Sequence, residues 1–229
     1  MNNSPDSVQN FYDKINDQYT EYILRCVPRY AEMQWAIMHY IPDTLKPINI
    51  LEIGCGTGNL TKLILQKYPE STIHLVDISK NMIDSCKNEF KSFDNIKYYC
   101  NDFRELDNNI PDCDLVLSSI SIHHITDDEK KILFKRVHGK LTLNGAFCYS
   151  DQFSSFDDEI YKKNISLWKR ESMQKGSNQK EWDMWMKHQD DHDYHAPLGE
   201  QSKWLGDAGF KNVECVWRHL LWSVLISIR

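Results

Sequence analysis

Short apolar runs alternate with amphipathic stretches through the middle of the chain, between Pro47 and Gln152. The runs are apolar on both faces, and the stretches between them have helical spacing; one opens with Thr126-x-x-Glu129, a capping-box pattern. Strands of this kind belong to a parallel sheet that helices cover on both sides. We therefore predict an α/β fold, with strands at 48–53, 72–76, 96–100, 114–119 and 145–150.

The segments on either side of this core, residues 47–152, are predicted to be mainly helical. Residues 7–43 are rich in aromatic side chains and contain two prolines, which favours two helices or a kinked pair that form a lid. Residues 154–195 have helical spacing without a strand, so we expect a helical insert after the fifth strand. A final helix and a strand pair are expected over 198–229. We expect all 229 residues to form a single domain.

Composition and charge argue against several classes of partner. The formal net charge is −6, and no run of basic residues occurs, which argues against a nucleic-acid partner. No apolar run approaches the roughly 20 residues that span a bilayer, which argues against a membrane partner. The N-terminus lacks the pattern of a signal peptide and the cysteines are scattered, so we expect a cytoplasmic protein with reduced thiols. The oligomeric state stays open, a homodimer included.

A glycine-rich segment, Gly54-Cys55-Gly56-Thr57-Gly58, follows the first predicted strand and precedes a helix. Glycines spaced by one residue let the backbone turn sharply and approach a ligand closely. In an open parallel sheet, ligands bind outside the carboxyl ends of the strands, and a helix N-terminus there favours a carboxylate. The segment therefore predicts a ligand site at this end of the sheet.

Two further strand ends carry residues suited to a nucleoside. The second strand ends at Asp77, where an acidic side chain accepts hydrogen bonds from ribose hydroxyls. The third strand is followed by Asn101-Asp102-Phe103, an acidic group beside an aromatic ring, which suits the amino group and the ring of adenine. The G-x-G-x-G spacing differs from the G-x-G-x-x-G of dinucleotide sites. Together these features predict a nucleoside ligand and point away from a dinucleotide.

The segment 51–58, with Asp77, Asp102 and Asp114-Leu115-Val116, resembles the class I S-adenosylmethionine-dependent methyltransferases. The resemblance covers about residues 45–152. It implies a Rossmann-like, mostly parallel sheet of seven strands, whose last pair includes an antiparallel strand. It also implies S-adenosylmethionine as cofactor. The activity that we expect is transfer of its methyl group to a small-molecule acceptor.

The same resemblance implies a set of cofactor-binding residues. Glu52 and the loop Gly54–Gly58 would hold the methionine end, Asp77 the ribose, and Asp102 with Phe103 the adenine. Ser119 and Ile120 would complete the wall beside the sulfonium. The residues expected to contact the cofactor are Tyr12, Tyr19, Arg25, Glu52, Gly54, Cys55, Gly56, Gly58, Asp77, Ile78, Met82, Asn101, Asp102, Phe103 and Ser119.

A narrower resemblance lies upstream of the glycine loop. The segment Ile23–Tyr30 is similar to the corresponding helix of the carboxy-S-adenosylmethionine synthases, and Lys169-Arg170 echoes a Lys-Arg segment in their insert. The chain departs from that subgroup at Gly56-Thr57, where the synthases usually have Ser-Leu. Synthesis of a carboxylated cofactor is therefore an alternative to methyl transfer. A protein that binds the cofactor without turnover is another.

Two histidines, His123 and His124, directly follow the fourth predicted strand. We expect at least one of their imidazoles to face the cleft. Histidine titrates in the range needed to remove a proton from a methyl acceptor, so both are candidate catalytic residues. The alternative is that they pack and form hydrogen bonds at the strand end.

A second histidine cluster lies near the end of the insert. On a helix, His188, His192 and His195 would share one face, and imidazole and carboxylate groups at such spacing bind divalent metals. With His124, and with Asp151 at the end of the fifth strand, His192 and His195 form a candidate metal site. A metal there would orient and deprotonate the acceptor. The alternative is a solvated acidic end of a helix.

Five aromatic residues lie in the two segments expected to cover the cleft, namely Tyr12, Tyr19, Trp168, Trp182 and Trp185. Such rings can form a cage around a substrate or a sulfonium. More often they form a small core of their own. We predict a core role for most of them and ligand contact for Tyr12 and Tyr19.

Overall fold

Three helices form the N-terminal segment in the computed structural model, which describes residues 5–15, 18–106 and 108–229. They are α1 (Pro5–Ile15), α2 (Tyr19–Cys26) and α3 (Tyr30–His39). The sequence predicted two helices or a kinked pair, and the separation of α2 from α3 comes from the turn at Arg29, whose φ is 53°. α3 packs with the sheet through Met33, Ala36 and Ile37, which are fully buried, so this helix is part of the core.

Seven strands form one sheet in the order β3-β2-β1-β4-β5-β7-β6. Strands β1 to β5 run parallel, and β7 runs antiparallel to both of its neighbours. This confirms the predicted Rossmann-like sheet and its antiparallel member. The strands are β1 (Asn49–Ile53), β2 (Thr72–Asp77), β3 (Ile96–Cys100), β4 (Cys113–Ser119), β5 (Leu141–Gln152), β6 (Lys211–His219) and β7 (Trp222–Ile228).

Three helices connect the parallel strands: α4 (Asn59–Lys67), α5 (Lys80–Glu89) and α6 (Asp127–Lys140). The predicted capping box begins α6. The Thr126 hydroxyl accepts the Glu129 N–H at 3.4 Å, and the Glu129 carboxylate accepts the Thr126 N–H at 2.8 Å. These reciprocal bonds satisfy two donors that a helix start otherwise leaves unpaired.

Apolar side chains cover both faces of the sheet. On one face Ile50 and Leu115 pack in the cluster that includes α3, α4 and α5. On the other face Leu51 and Val116 pack in the cluster that includes α6 and a later helix, α9 (Leu198–Asp207). Neighbouring residues of a strand point to opposite faces, so burial of both faces requires the continuous apolar runs seen in the sequence.

The predicted helical insert consists of α7 (Asp158–Gln174) and α8 (Gln179–His192). It packs on the sheet through Trp168, whose ring lies edge-on to the rings of Trp182 and Trp222, with both pairs of ring centroids 4.7 Å apart. Trp168 and Trp182 are buried, which confirms their predicted role in the core. No helix among the described residues is long and apolar enough to cross a bilayer.

The expectation that His188, His192 and His195 share one helix face is wrong for His195. α8 ends at His192, and the next residue, Asp193, is extended with φ −104° and ψ 140°. Beyond it the chain runs along the loop after β4, where the Tyr194 N–H donates to the His123 carbonyl at 2.7 Å. The helix stops where this tertiary contact replaces the hydrogen bond that the Tyr194 N–H would otherwise donate within the helix.

Candidate active site

The glycine loop turns sharply between β1 and α4. The N–H groups of Gly54 and Cys55 both donate to the Val76 carbonyl of β2, at 2.8 and 3.1 Å. Gly54, Gly56 and Gly58 have φ values of 68°, 52° and 82°, which side-chain-bearing residues rarely adopt. A Cβ at Gly54 would lie 2.0 Å from the Ser121 hydroxyl oxygen. The loop therefore has this shape only because glycine is present.

Asp77 lies at the carboxyl end of β2 and faces the glycine loop. Its carboxylate accepts the N–H groups of Gly56 and Ser79, at 2.8 and 2.9 Å. Burial raises the pKa of Asp77 to about 6, and the negative charge of Asp13 adds to the rise. The carboxylate thus has fixed hydrogen bonds behind it and lines the adjacent cleft as an acceptor for hydroxyl donors.

A cleft of about 770 Å³, here called the outer cleft, opens in front of the loop and of Asp77. Nine of the residues predicted to contact the cofactor line it, and they come from the N-terminal helices and from the ends of β1, β2 and β3. They are Tyr12, Tyr19, Gly54, Gly56, Asp77, Ile78, Met82, Asp102 and Phe103.

Glu52, Cys55 and Ser119 line a smaller cavity of about 260 Å³ on the other side of the loop. Glu52 is buried, and it accepts a hydrogen bond from the Thr61 hydroxyl at 2.7 Å. Burial raises the pKa of Glu52 to about 8. A buried carboxyl group in this state is suited to a cationic partner such as an ammonium group, because the charges would compensate each other.

Three residues of the predicted cofactor set do not line these cavities, and their contact with the cofactor stays a prediction. Arg25 lies between α2 and α8, where its guanidinium pairs with Glu181 at 3.1 Å. Gly58 begins α4 and lies against Phe90. Asn101 is exposed at the end of β3. Arg25 belongs to the upstream segment of the narrower resemblance, Gly58 to the glycine loop, and Asn101 to the segment after the third strand. The direction in which the Arg25 side chain faces depends on helix packing.

Four further residues line the outer cleft but were not predicted from the sequence, namely Val8, Arg104, Ser121 and Ile125. Arg104 is held by Asp102, with Nε 2.8 Å from its carboxylate, and by Glu129 at 2.9 Å. Ser121 follows Ser119 by two residues, and its hydroxyl donates to the Gly54 carbonyl at 3.1 Å. The position of Ser121 directly after a strand end was the one signal that could have identified it.

We expect Arg25→Ala to leave the affinity for S-adenosylmethionine within about twofold of wild type, because Arg25 lies outside the outer cleft. The partly exposed ion pair with Glu181 contributes at most about 1 kcal/mol to the free energy of unfolding. Isothermal titration calorimetry and thermal melts measure both quantities. A tenfold loss of affinity would return Arg25 to the cofactor site.

We expect the affinity for S-adenosylmethionine to fall as the pH is lowered through the pKa of Asp77, about 6. Ribose hydroxyls donate to the ionised carboxylate, so protonation removes the acceptor. From pH 7 to pH 5 the dissociation constant should rise by about tenfold. Titrations across this range should give a flat profile for Asp77→Asn, whose amide does not titrate. A pH profile of the variant that matches wild type would assign the dependence to another group.

A second cavity of about 470 Å³, here called the inner cavity, adjoins the outer cleft. Tyr12, Tyr19 and Ile120 line both spaces and form the junction between them. Trp168, Trp185 and Trp222 contribute to the inner wall. The described residues that line this cavity include no lysine or arginine.

Ile120 at this junction has an unusual backbone conformation. Its φ is 54°, in the left-handed region that β-branched residues avoid, and its N–H donates to the Ser150 carbonyl at 2.9 Å. Strain of this kind costs about 1–3 kcal/mol and is concentrated at functional sites. It places the Ile120 side chain between the two spaces.

A polar cluster forms the wall between the inner cavity and the insert. His124 Nδ1 lies 3.0 Å from Asp193 Oδ1, and its Nε2 lies 2.8 Å from the Tyr12 hydroxyl. Burial lowers the pKa of His124 to about 4, which keeps the imidazole neutral at pH 7. His123 Nδ1 lies 2.5 Å from Asp151 Oδ1. Both predicted catalytic histidines are therefore at the junction or the inner cavity, each paired with a different carboxylate.

The structure does not bring the predicted metal grouping of His124, Asp151, His192 and His195 together as one set with metal-ligand spacing. The Asp151 oxygens are occupied by the imidazole and N–H of His123 and by the N–H of Gln152. The carboxylate that the histidines share is that of Asp193, the residue directly after the last residue of α8. His123, His124 and Asp193 form the group with metal-ligand spacing among the described residues.

Residues 50–145 match the family described as "Methyltransferase domain". Over its whole length the chain is similar to carboxy-S-adenosyl-L-methionine synthase of Helicobacter pylori (strain HPAG1), with 24% identity over 95% of this chain and 92% of the relative. It is also similar to malonyl-[acyl-carrier protein] O-methyltransferase 2 of Ilyobacter polytropus, with 33% identity over 62% of this chain and 51% of the relative.

Among solved structures, the fold is similar to a putative O-methyltransferase from Nostoc punctiforme, with a TM-score of 0.67 and 15% identity. The match covers 95% of this chain and 60% of that one, so the chain spans less than two thirds of that structure. The domain match, the relatives and the strand order agree with one another. Residues 50–145 thus match a methyltransferase domain, and the chain has the Rossmann-like fold of solved methyltransferase structures.

Proposed function

We propose that this enzyme methylates an oxygen or nitrogen atom of a small molecule bound in the inner cavity. The observation that carries the proposal is the junction at Tyr12, Tyr19 and Ile120, three residues that line both the inner cavity and the outer cleft, so that the two spaces are neighbours. Methyl transfer is an in-line displacement, so donor and acceptor must approach each other through such an opening. Holding them in line is the largest contribution that the protein can make.

The residues present fit the cofactor. Asp77 offers a fixed acceptor to ribose hydroxyls, Glu52 offers a buried carboxyl group to an ammonium group, and Gly54 leaves room that a side chain would fill. Bound S-adenosylmethionine supplies a methyl group on a positively charged sulfur. The ring of Phe103 lines the same cleft and is available to stack on adenine.

The lining of the inner cavity favours an uncharged and largely aromatic acceptor. Three tryptophans provide apolar area, and the described lining contains a carboxylate, Asp193, without a lysine or arginine. An anionic acceptor would be buried there without a compensating cation, which is costly. We therefore expect phenols, aromatic amines or similar heterocycles to be better substrates than carboxylates or phosphates.

The polar wall of the inner cavity takes up the proton that the acceptor loses. His123, His188 and Asp193 line the cavity, and His124 contacts both Asp193 and Tyr12. Neutral imidazole backed by a carboxylate removes protons from hydroxyl and amino groups. The same groups can assist by holding a metal ion, to which the acceptor atom binds.

A second candidate function is synthesis of carboxy-S-adenosylmethionine. It is favoured by the match to the synthase, which covers nearly the whole of both chains. The product of that reaction carries a carboxylate that S-adenosylmethionine lacks, so the site would need a cationic side chain to pair with it. Arg104 lines the outer cleft but is already paired with Asp102 and Glu129, and the described inner lining offers no other cation. Methyl transfer is therefore the function that the site supports better.

Two measurements test the proposal. Mass spectrometry of the nucleoside that copurifies with the protein should find S-adenosylmethionine or S-adenosylhomocysteine, whereas a carboxylated nucleoside would support the synthase. Incubation with S-adenosylmethionine and a panel of phenols, aromatic amines and carboxylates should release S-adenosylhomocysteine with members of the first two groups. Tight cofactor binding without release for any member would indicate a binding protein that lacks turnover.

A further inference from the structure

Five histidines surround one buried carboxylate at the wall of the inner cavity. His124 Nδ1, His188 Nε2 and His123 Nε2 lie 3.0, 3.7 and 3.8 Å from Asp193 Oδ1. His195 Nε2 lies 3.5 Å from Asp193 Oδ2, and the ring of His192 lies 5.0 Å from that of His188. We infer that His123, His124 and Asp193 bind a divalent transition-metal ion, with His188 as a fourth ligand.

The spacing of the three central residues supports a shared ligand. One side-chain donor atom from each of His123, His124 and Asp193 lies within 4.8 Å of the other two. A single ion with bonds of about 2.0–2.2 Å bridges donors at such separations after small side-chain movements. Three imidazoles and one carboxylate leave a further position open on a five- or six-coordinate ion, and the inner cavity lies beside them.

Several imidazole nitrogens in the cluster lack other partners. Both nitrogens of His188, Nδ1 of His192 and Nε2 of His195 are buried and have no hydrogen-bond partner among the described residues. A buried polar atom without a partner costs about 1–3 kcal/mol, so such atoms are rare in native proteins. These unpartnered nitrogens are concentrated around one carboxylate, which indicates that they bind a ligand.

His123 is already oriented as a metal ligand would be. Its Nδ1 is paired with Asp151, and the Asp151 carboxylate also accepts the His123 N–H at 3.0 Å. A carboxylate on one ring nitrogen fixes the proton there and leaves the other nitrogen with its lone pair free. That other nitrogen, Nε2, is the one directed toward Asp193. Asp151, which the sequence placed among the ligands, thus acts behind one of them.

The chemistry of the donors selects the kind of metal. Imidazole with carboxylate suits Zn²⁺, Fe²⁺, Co²⁺ or Ni²⁺, whereas Mg²⁺ and Ca²⁺ prefer oxygen ligands throughout. Asp193 and Asp151 supply two carboxyl groups at the site, and the buried Lys130 bonds through Nζ to the Tyr194 carbonyl and to Asp127, so it occupies neither of them.

The ion would serve the acceptor, a role that rests on the proposed methyl transfer. An oxygen or nitrogen atom of the acceptor, bound at an open position, would lose its proton more easily and would be held at the junction. Tyr12 contacts His124 and lines the outer cleft, so it connects the metal site with the cofactor site.

The test begins with metal binding by the full-length chain. After treatment with a chelator and equilibration with Zn²⁺, elemental analysis should find about one ion per chain. With Co²⁺ as the probe, visible absorption bands of a low-coordinate nitrogen and oxygen site should appear. His123→Gln and Asp193→Asn should each bind less than about a tenth of an equivalent, and Asp151→Asn should weaken binding by about 10–100-fold.

His39→Ala is the matched control, because His39 is an exposed histidine that stacks on Trp35 away from the cluster. It should retain the bound ion and the cobalt spectrum. Retained affinity for S-adenosylmethionine in each variant shows that the protein is folded. His124→Gln provides a second ligand variant if one of the others does not fold.

Wild-type protein that retains less than about a tenth of an equivalent of Zn²⁺ and shows no cobalt bands overturns the proposal. Full metal binding by both His123→Gln and His124→Gln overturns it too. Release of S-adenosylhomocysteine by metal-free protein would leave methyl transfer in place without the ion. A metal-loaded protein that releases none with any acceptor would leave the metal site in place and contradict the proposed function.

Discussion

Gly54→Ala is expected to weaken S-adenosylmethionine binding by about 10–100-fold, because a methyl group forced into a filled space displaces the loop at a cost of about 1–3 kcal/mol. A methyl group at this position would lie 2.0 Å from the Ser121 hydroxyl oxygen and 2.5 Å from the Ser121 Cβ. Alanine also disfavours the φ of 68° that the turn requires. Isothermal titration calorimetry gives the affinity, and circular dichroism shows whether the fold is retained.

Gly206→Ala is the control for this substitution. Gly206 lies within α9, and a Cβ there would meet no atom within 4 Å, so the affinity should be unchanged. Alanine has a higher helix propensity than glycine, so the substitution should stabilise the protein by about 0.5–1 kcal/mol. Gly54→Ala combined with Ser121→Gly should recover part of the lost affinity, since the clash is removed while the strained φ persists. Full affinity in Gly54→Ala alone would show that the loop does not form the cofactor site.

Asp193→Asn is expected to lower kcat for methyl transfer by about 10²–10⁴-fold, the usual contribution of a positioned proton acceptor. The carboxylate lies within 3.8 Å of four histidine side chains. Its loss disturbs the proton acceptor whether imidazole acts alone or together with a metal. Asp193 lines the inner cavity and not the outer cleft, so affinity for S-adenosylmethionine should stay within about twofold.

Asp191→Asn is the matched control on the same segment. Asp191 is exposed and pairs with Lys187 on the surface of α8, so its loss should change neither kcat nor cofactor affinity. Steady-state release of S-adenosylhomocysteine measures kcat once an acceptor is known. An Asp193→Asn enzyme with the kcat of wild type would remove the histidine cluster from the proposed mechanism.

The elements that the sequence predicted well are those whose signal is local. The capping box at Thr126 begins α6 as expected, because its two hydrogen bonds join residues three apart. β1 and β2 were also recognised, since strands buried on both faces require continuous apolar runs. β5 begins at Leu141, four residues before the predicted start, because pairing with β4 extends it across polar residues such as Asn144.

The elements that were predicted wrongly depend on contacts between distant segments. Arg25 lies outside the outer cleft because it pairs with Glu181, 156 residues away, a contact that the sequence does not reveal. The end of α8 is set by the pairing of Tyr194 with the loop after β4, and the helical spacing of the sequence does not reveal this pairing. Asp193 was therefore overlooked, although it is the carboxylate that the histidines share.

The position of the glycine loop and of Asp77 at one edge of the sheet could be predicted from the sequence alone. Parallel strands bring their carboxyl ends to one edge of the sheet, so residues that follow β1 and β2 must meet there. The chemistry of the inner cavity was decided only by the tertiary structure. Its wall joins the loop after β4 with the end of α8, and the two are brought together by packing of the insert on Trp222 and not by any repeating pattern. The residues at the strand ends can be read from adjacent positions in the sequence. The partner of His124, in contrast, depends on the residue at which a distant helix ends.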